Sequence, residues 1–190
     1  MAIALKPAVF LDRDGTINWD PGYLSQPEQM RLLDGVGEAL RELELAGFER
    51  VVVSNQSGVA RGLILASDLP KIHARLNGLI QPFQTKLEHF MLCQHAPLDQ
   101  CDCRKPSPKL LLEAALTLNL DLSCSYMVGD KLSDLQAGRS AHVRASVLVL
   151  TGHGEATREE LRTLGPEEQP AFIAKDLREA ATWIRSDAGF

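Results

Sequence analysis

The feature that most constrains this chain is a repeated alternation, in which short apolar runs stop abruptly at Asp, Asn, Gly or Ser and are separated by segments with helical spacing. The runs are Ala8 to Leu11, Arg50 to Val53, His89 to Leu92, Tyr126 to Val128 and Ala145 to Leu150. Consecutive apolar positions of this length predict strands covered on both faces, as in a parallel sheet. Between them, Val36 to Ala46, Leu69 to Phe83, Leu110 to Leu118 and Leu132 to Ala141 carry helical periodicity, and Leu177 to Ile184 closes the chain in the same way. Ser107-Pro108 reads as an N-cap followed by proline at the first helical position, and Gly47 as the stop of the helix before it. Strand and helix in strict alternation predict an α/β fold: a doubly wound parallel sheet with right-handed crossovers and helices on both faces, Rossmann-like. A chain of 190 residues that is 45% apolar fills one core and not two, so residues 1–190 are expected to form one domain. Thr151 to Pro170, rich in Gly, Glu and Thr, reads as a loop or short irregular helix of no assigned role.

Charge and hydropathy narrow the partners. A net charge of −5 offers no basic footprint for nucleic acid. No stretch approaches the roughly 18 to 20 apolar residues of a membrane span, and Met1 to Phe10 runs at once into Asp12, Arg13 and Asp14, which a signal-peptide core does not tolerate. A cytoplasmic protein acting on small molecules is expected, with a monomer favoured.

In an open parallel sheet, ligands gather beyond the carboxyl ends of the strands, and each polar cluster of this sequence falls at such an end. The first run ends in Leu11-Asp12-Arg13-Asp14-Gly15-Thr16, two carboxylates one residue apart before a glycine. The second ends in Ser54-Asn55-Gln56-Ser57-Gly58, a set of hydroxyl, amide and backbone donors suited to phosphate oxygens. Lys105 follows in Cys103-Arg104-Lys105-Pro106, and the fourth run ends in Gly129-Asp130-Lys131-Leu132-Ser133-Asp134. A nucleophile, a proton donor and positive charge around the equatorial oxygens are the parts phosphoryl transfer needs. Carboxylates alone repel such a substrate, so a hard divalent cation is required, and Mg²⁺ suits one or two carboxylates with phosphate and water.

These four stretches resemble, in order, the signature motifs of the haloacid dehalogenase (HAD) superfamily. The resemblance implies that Asp12 is the nucleophile and that Asp14 protonates the leaving group and then activates water. It implies that Ser54 and Lys105 hold the transferring phosphoryl group, and that Mg²⁺ sits between the Asp12 and Asp130 carboxylates and the Asp14 backbone carbonyl. Asp134 is expected to be an orienting acid.

A second cluster, Cys93-Gln94-His95 followed by Cys101-Asp102-Cys103, gathers three thiols and an imidazole within eleven residues. Cys₃His is a closed tetrahedral set of the structural zinc type. The loop between has little core of its own, so Zn²⁺ held by Cys93, His95, Cys101 and Cys103 would order it and fix Lys105, which follows directly. Cys124 reads as a core residue. His73, His89, His142 and His153 have no matching partners and are expected on helix faces or loops.

A zinc loop beside a core without a large cap domain is similar to two groups within the superfamily, the heptose bisphosphate phosphatases and the histidinol-phosphate phosphatases. Asn55 to Gly62, Tyr126 to Lys131 and Asp20-Pro21-Gly22-Tyr23 resemble the first group. That resemblance implies a phosphorylated sugar as substrate, with Asp20, Pro21, Gly22, Tyr23, Asn55, Gln56, Ser57, Arg104 and Lys131 lining its pocket. Arg104 and Lys131 suit a second phosphate. The sequence departs from the heptose pattern at Ser54, where threonine is commoner, at Gln94 in place of proline, and in a shortened zinc loop. A histidinol-phosphate phosphatase is the alternative within the chemistry. A catalytically idle sugar-phosphate binding module is the alternative outside it, and the presence of both Asp12 and Asp14 speaks against that.

Overall fold

Six parallel strands lie in the order β3-β2-β1-β4-β5-β6, with β1 spanning Ala8–Leu11, β2 Glu49–Asn55, β3 His89–Cys93, β4 Tyr126–Gly129, β5 Ala145–Val149 and β6 Phe172–Ala174. The computed structural model describes residues 5–190, so the first four residues of the N-terminal stretch weighed above as a leader lie outside it. Among the described residues, six helices connect or follow the strands: α1 (Val36–Leu45), α2 (Leu69–Ile80), α3 (Lys109–Leu118), α4 (Leu132–Ser140), α5 (Gly154–Leu161) and α6 (Leu177–Ala188). This is the doubly wound architecture that the alternation predicts. The chain winds outward from β1 through β2 to β3, returns through α3 to β4, and then winds the other way. The reversal lies between β1 and β4, which pair from Val9 with Tyr126 to Leu11 with Val128. At such a switch point neighbouring loops diverge and leave a crevice at the carboxyl edge.

Because side chains alternate across a strand, each strand feeds two cores. Val9, Leu11, Val52 and Val128 pack beneath α1, α2 and α6 through Leu40, Leu76 and Ile184. Ala8, Phe10, Val53 and Met127 pack on the other face with Leu111 and Ala114 of α3 and Ala137 of α4. A smaller cluster of Leu135, Leu148 and Leu161 seats α5. Each fully buried leucine in these layers contributes about 1.5 to 3 kcal/mol by leaving water. The connections from β1 to α1 and from β2 to α2 carry only the 3₁₀ turns Pro27–Gln29 and Ala66–Asp68, so no large cap stands over the carboxyl edge.

Three details differ from the sequence expectations. Residues 151–170 contain α5 and a further turn, and they lead into β6, which the apolar pattern does not announce. Its three residues include the exposed Ile173, too little for a strand signature. The helix expected to start at Pro108 starts at Lys109, with Ser107 Oγ still accepting the Lys109 N–H at 3.3 Å. Cys124 is exposed and not in the core, because the turn Leu122–Cys124 directs it outward, while the adjacent Ser125 is buried and its Oγ accepts the Ala8 N–H at 2.8 Å.

Candidate active site

The residue after β1 is Asp12, whose N–H donates to Val128 of β4 at 2.9 Å and so fixes the carboxylate at the switch point. Lys105 reaches it from the loop before α3. Its Nζ, almost fully buried, donates to Asp12 Oδ1 at 2.9 Å and to the Val53 carbonyl at 2.6 Å, and lies 2.7 Å from Asp134 Oδ1. Burial opposes this charge, but the Asp12 and Asp134 carboxylates overcome it and hold the amine well above its ordinary value. Asn55, at the end of β2, braces the lysine's backbone: its Oδ1 accepts from Lys105 N at 3.0 Å, and its Nδ2 donates to the Lys105 carbonyl at 3.1 Å.

Asp130, after β4, is fully buried. Its Oδ2 accepts the His153 N–H at 2.7 Å, its backbone carbonyl accepts from Thr157 Oγ1 at 2.8 Å, and Thr151 Oγ1 donates to the Gly15 carbonyl at 2.6 Å. The segment left without a role thus holds the metal-side acid in place. Gly15 and Gly152 pinch the carboxylate between them; a Cβ on either would sit 2.2 or 2.3 Å from Asp130 Oδ2, and both have positive φ.

Oxygens of Asp12, Asp130 and Asp134 lie within 4.8 Å of one another. Burial, then the Asp12 charge, pushes the Asp130 carboxyl up to about 7. Asp130 Oδ1 is buried without a hydrogen-bond donor among the described residues. An unpartnered carboxylate oxygen amid other carboxylates is the donor set of a hard cation, so Mg²⁺ fits between Asp12 and Asp130. Asp134 is committed elsewhere: it pairs with Lys105 and accepts the Lys131 N–H at 3.0 Å, the orienting position the sequence suggests.

Asp14 lines the same cleft. Arg13 Nε and Nη2 grip its two oxygens at 3.0 and 2.8 Å, and Asn18 Nδ2 and Gln56 Nε2 add a donor each at 2.9 Å. Burial alone would raise this carboxyl, but the Arg13 charge and the four donors outweigh it and hold the group below the ordinary range. Gln56 Nε2 also donates to Ser54 Oγ at 2.9 Å.

The cleft encloses about 420 Å³ and brings together Asp12, Asp14, Ser54 and Lys105 with Asp20, Gly22, Tyr23, Asn55, Ser57, Arg104 and Lys131. Of the residues expected to touch substrate, Pro21 is not on its wall, and Gln56 lines a small adjoining hollow with Asp14, Gly22, Tyr23, Asn55 and Ser57. The Gln56 amide is occupied by Arg13, Asp14 and Ser54. Ser133 and His153 line it unannounced. His153 follows β5, so the strand-end rule that located the other clusters points to it as well. Asp20 lies 3.6 Å from Lys131 Nζ and 3.7 Å from His153 Nε2. Arg104 Nη1 is buried and has no acceptor among the described residues, which leaves a charged donor for an anion.

Beyond β3, the Cys93, His95, Cys101 and Cys103 ligand atoms also lie within 4.8 Å of one another. Cys93 Sγ is 3.6 Å from Cys101 Sγ and 3.7 Å from His95 Nδ1, and Cys103 Sγ is 3.3 Å from that nitrogen. A tetrahedron with Zn–S and Zn–N bonds of ordinary length has edges of about 3.6 to 3.8 Å. The four donors therefore fit Zn²⁺. Burial, then the neighbouring thiols, pushes Cys93 up to about 12; a bound cation reverses that penalty.

The chain is similar to proteins of known activity. A HAD-hydrolase-like family model matches residues 102–180. The D-glycero-beta-D-manno-heptose-1,7-bisphosphate 7-phosphatase of Escherichia coli (strain K12) is 44% identical over 153 residues, covering 77% of this chain and 80% of that one. The chain belongs to the heptose-bisphosphate phosphatase family of HAD-like hydrolases. It is a phosphatase. Its fold matches a crystal structure of D,D-heptose 1,7-bisphosphate phosphatase from B. bronchiseptica, complexed with magnesium and phosphate, with a TM-score of 0.87 at 32% identity, over 95% of this chain and 99% of that one. The corresponding enzyme from Burkholderia thailandensis matches with a TM-score of 0.72 at 31% identity, over 95% and 99%. The magnesium of the first relative and the orphaned Asp130 oxygen of this phosphatase point to the same cofactor.

Proposed function

We propose that this phosphatase removes the 7-phosphate of D-glycero-D-manno-heptose 1,7-bisphosphate through a phospho-aspartate on Asp12. The observation that carries the reading is that Arg104 and Lys131 line the same cleft as Asp12 and Lys105, since two further cationic groups in the nucleophile's cleft suit a sugar that brings a second phosphate. The substrate for which the relatives are named supports the reading.

In the first half-reaction an Asp12 oxygen attacks the 7-phosphorus in line, the bond from phosphorus to O7 breaks, and Asp14 delivers a proton to O7. Lys105 and Ser54 hold the transferring group. The Asp12 and Asp130 carboxylates and the Asp14 carbonyl are the groups to hold Mg²⁺, which when bound neutralises charge on the phosphoryl oxygens. In the second half-reaction Asp14 takes a proton from water, the water oxygen attacks the phosphorus of phospho-aspartate, and inorganic phosphate leaves with Asp12 restored. Arg13 keeps Asp14 ionised at rest, which suits the base step. The proton of the first step enters with the monoanionic form of the substrate, whose second pKa is about 6.

The test is kcat/KM for heptose 1,7-bisphosphate and for histidinol phosphate in the parent protein and in Arg104→Ala. The parent is expected to prefer the bisphosphate. Loss of a charge-assisted contact of about 1.5 to 3 kcal/mol lowers bisphosphate turnover by roughly tenfold to a hundredfold and leaves the monophosphate within about threefold. A parent that prefers histidinol phosphate overturns the heptose assignment and keeps the chemistry.

A further inference from the structure

Arg13 has figured so far only as the charge that keeps Asp14 ionised, yet it is the largest fully buried side chain among the described residues. Burying a guanidinium costs several kcal/mol, and a buried ion pair is often no more stable than apolar residues of the same volume. Packing alone therefore does not account for it. Its bonds are concentrated on one target. Nε and Nη2 each donate to an Asp14 oxygen, and Nη2 also donates to Gln56 Oε1 at 3.0 Å, while Nη1 has no acceptor among the described residues. Gln56 returns the contact through Nε2 to Asp14 Oδ2, and Asn18 completes the set on Oδ1. Both oxygens of Asp14 thus accept two donors each, and the carboxyl has one orientation. A side chain with two free torsions is locked at the wall of the cleft.

We propose that Arg13 is a positioning residue for proton transfer: its planar fork, with Gln56 as the second jaw, aims the Asp14 carboxyl at the oxygen leaving phosphorus. The proposal rests on Asp14 being the acid and base of the reaction. It gives Gln56 the same task, since its amide is committed to Asp14 and Ser54.

Lysine at position 13 keeps a positive charge and loses the fork, so Arg13→Lys separates geometry from charge. The readout is the leaving group. From heptose 1,7-bisphosphate the leaving group is the O7 alkoxide of heptose 1-phosphate, which needs a well-placed acid, whereas from p-nitrophenyl phosphate it is a stabilised phenolate, which does not. Arg13→Lys is expected to lower kcat/KM for the sugar phosphate, which reports the half-reaction that expels the leaving group, by about tenfold to a hundredfold, and to leave kcat/KM for the aryl phosphate within about threefold. Gln56→Met, which keeps the buried volume, is expected to show the same split at about three- to tenfold, and it supplies the measurement if the lysine variant does not fold. Equal losses on both esters, or none on either, overturn the proposal. Asp14→Asn is the control. If that variant lacks the leaving-group split, it is the acid–base reading of Asp14 that fails; if it shows the split and the Arg13 and Gln56 variants do not, only the positioning role fails.

Discussion

The two metal-binding regions of this phosphatase lie at the same edge of one sheet and are built in opposite ways. The carboxylate site takes Asp12 from β1 and Asp130 from β4, distant in sequence, and the hydrogen bonds of the sheet place them before any ion arrives. Lys105 is buried among them as an internal counter-charge. The cysteine site is local, with Cys93 at the end of β3 and the other three donors on an irregular segment whose Leu98 is 91% exposed. Little apolar surface folds that segment down. On the proposed reading the first site, ordered by the core, uses its cation for chemistry, and the second uses its cation for order.

The largest effect tests the first half of that contrast. Asp12→Asn preserves shape and removes the nucleophilic charge, so phosphate release is expected to fall at least about 10³-fold while the melting temperature changes little. Turnover near the parent level, once deamidation is excluded by mass spectrometry, would falsify the phospho-aspartate route. The second half is tested by Cys101→Ser. Purified protein is expected to carry about one zinc per chain, and the variant to lose it. Amide exchange should then rise between residues 94 and 104, with the strands unchanged. Activity should drop about tenfold, because Lys105 follows the loop and its backbone is held only by Asn55. A variant with parent-like exchange and rate would mean that the loop orders itself.

How well each region can be read from sequence follows from the same difference. Local spacing is visible in a string, so Cys93, His95, Cys101 and Cys103 come together as expected. The carboxylate site is legible because its residues all sit at strand ends, and the strands are bounded by Asp, Asn and Gly. What escapes is whatever depends on side-chain direction. Nothing in the sequence gives Arg13 a role, and it is the turn after β1, with Ile17 N bonded to the Arg13 carbonyl, that places it on Asp14. Gln56 reads as a phosphate donor until the structure turns its amide to Asp14. Helix α5 is polar over most of its length and seats only Leu161 firmly, so its pattern is faint, and with it the role of Thr151 and Thr157 around Asp130.

The smallest effect concerns the residue that links the two regions. His73 of α2 stacks on Phe90 of β3, the strand that leads into the cysteine loop, with ring centroids 3.9 Å apart. Burial, followed by the Arg13 charge, depresses its pKa to about 4 from 6.5. The folded protein thus keeps His73 neutral in a range where the unfolded chain protonates it. Stability from this residue is complete above about pH 6.5 and is lost as pH falls toward about 4. The whole shift corresponds to about 3 kcal/mol, which partial exposure of the ring reduces to about 1 kcal/mol. His73→Phe retains the stack and removes the titration. Urea unfolding at about pH 7 and about pH 5 should show the parent losing about 0.5 kcal/mol more than the variant between the two, since only about half of the window is crossed. Because carboxylates elsewhere titrate alike in both proteins, the difference isolates His73. Equal losses would mean that the ring takes up its proton within the fold, which in turn would require the Arg13 charge to be screened from His73 and the interior between the two regions to be wetter than the packing of Phe90 implies.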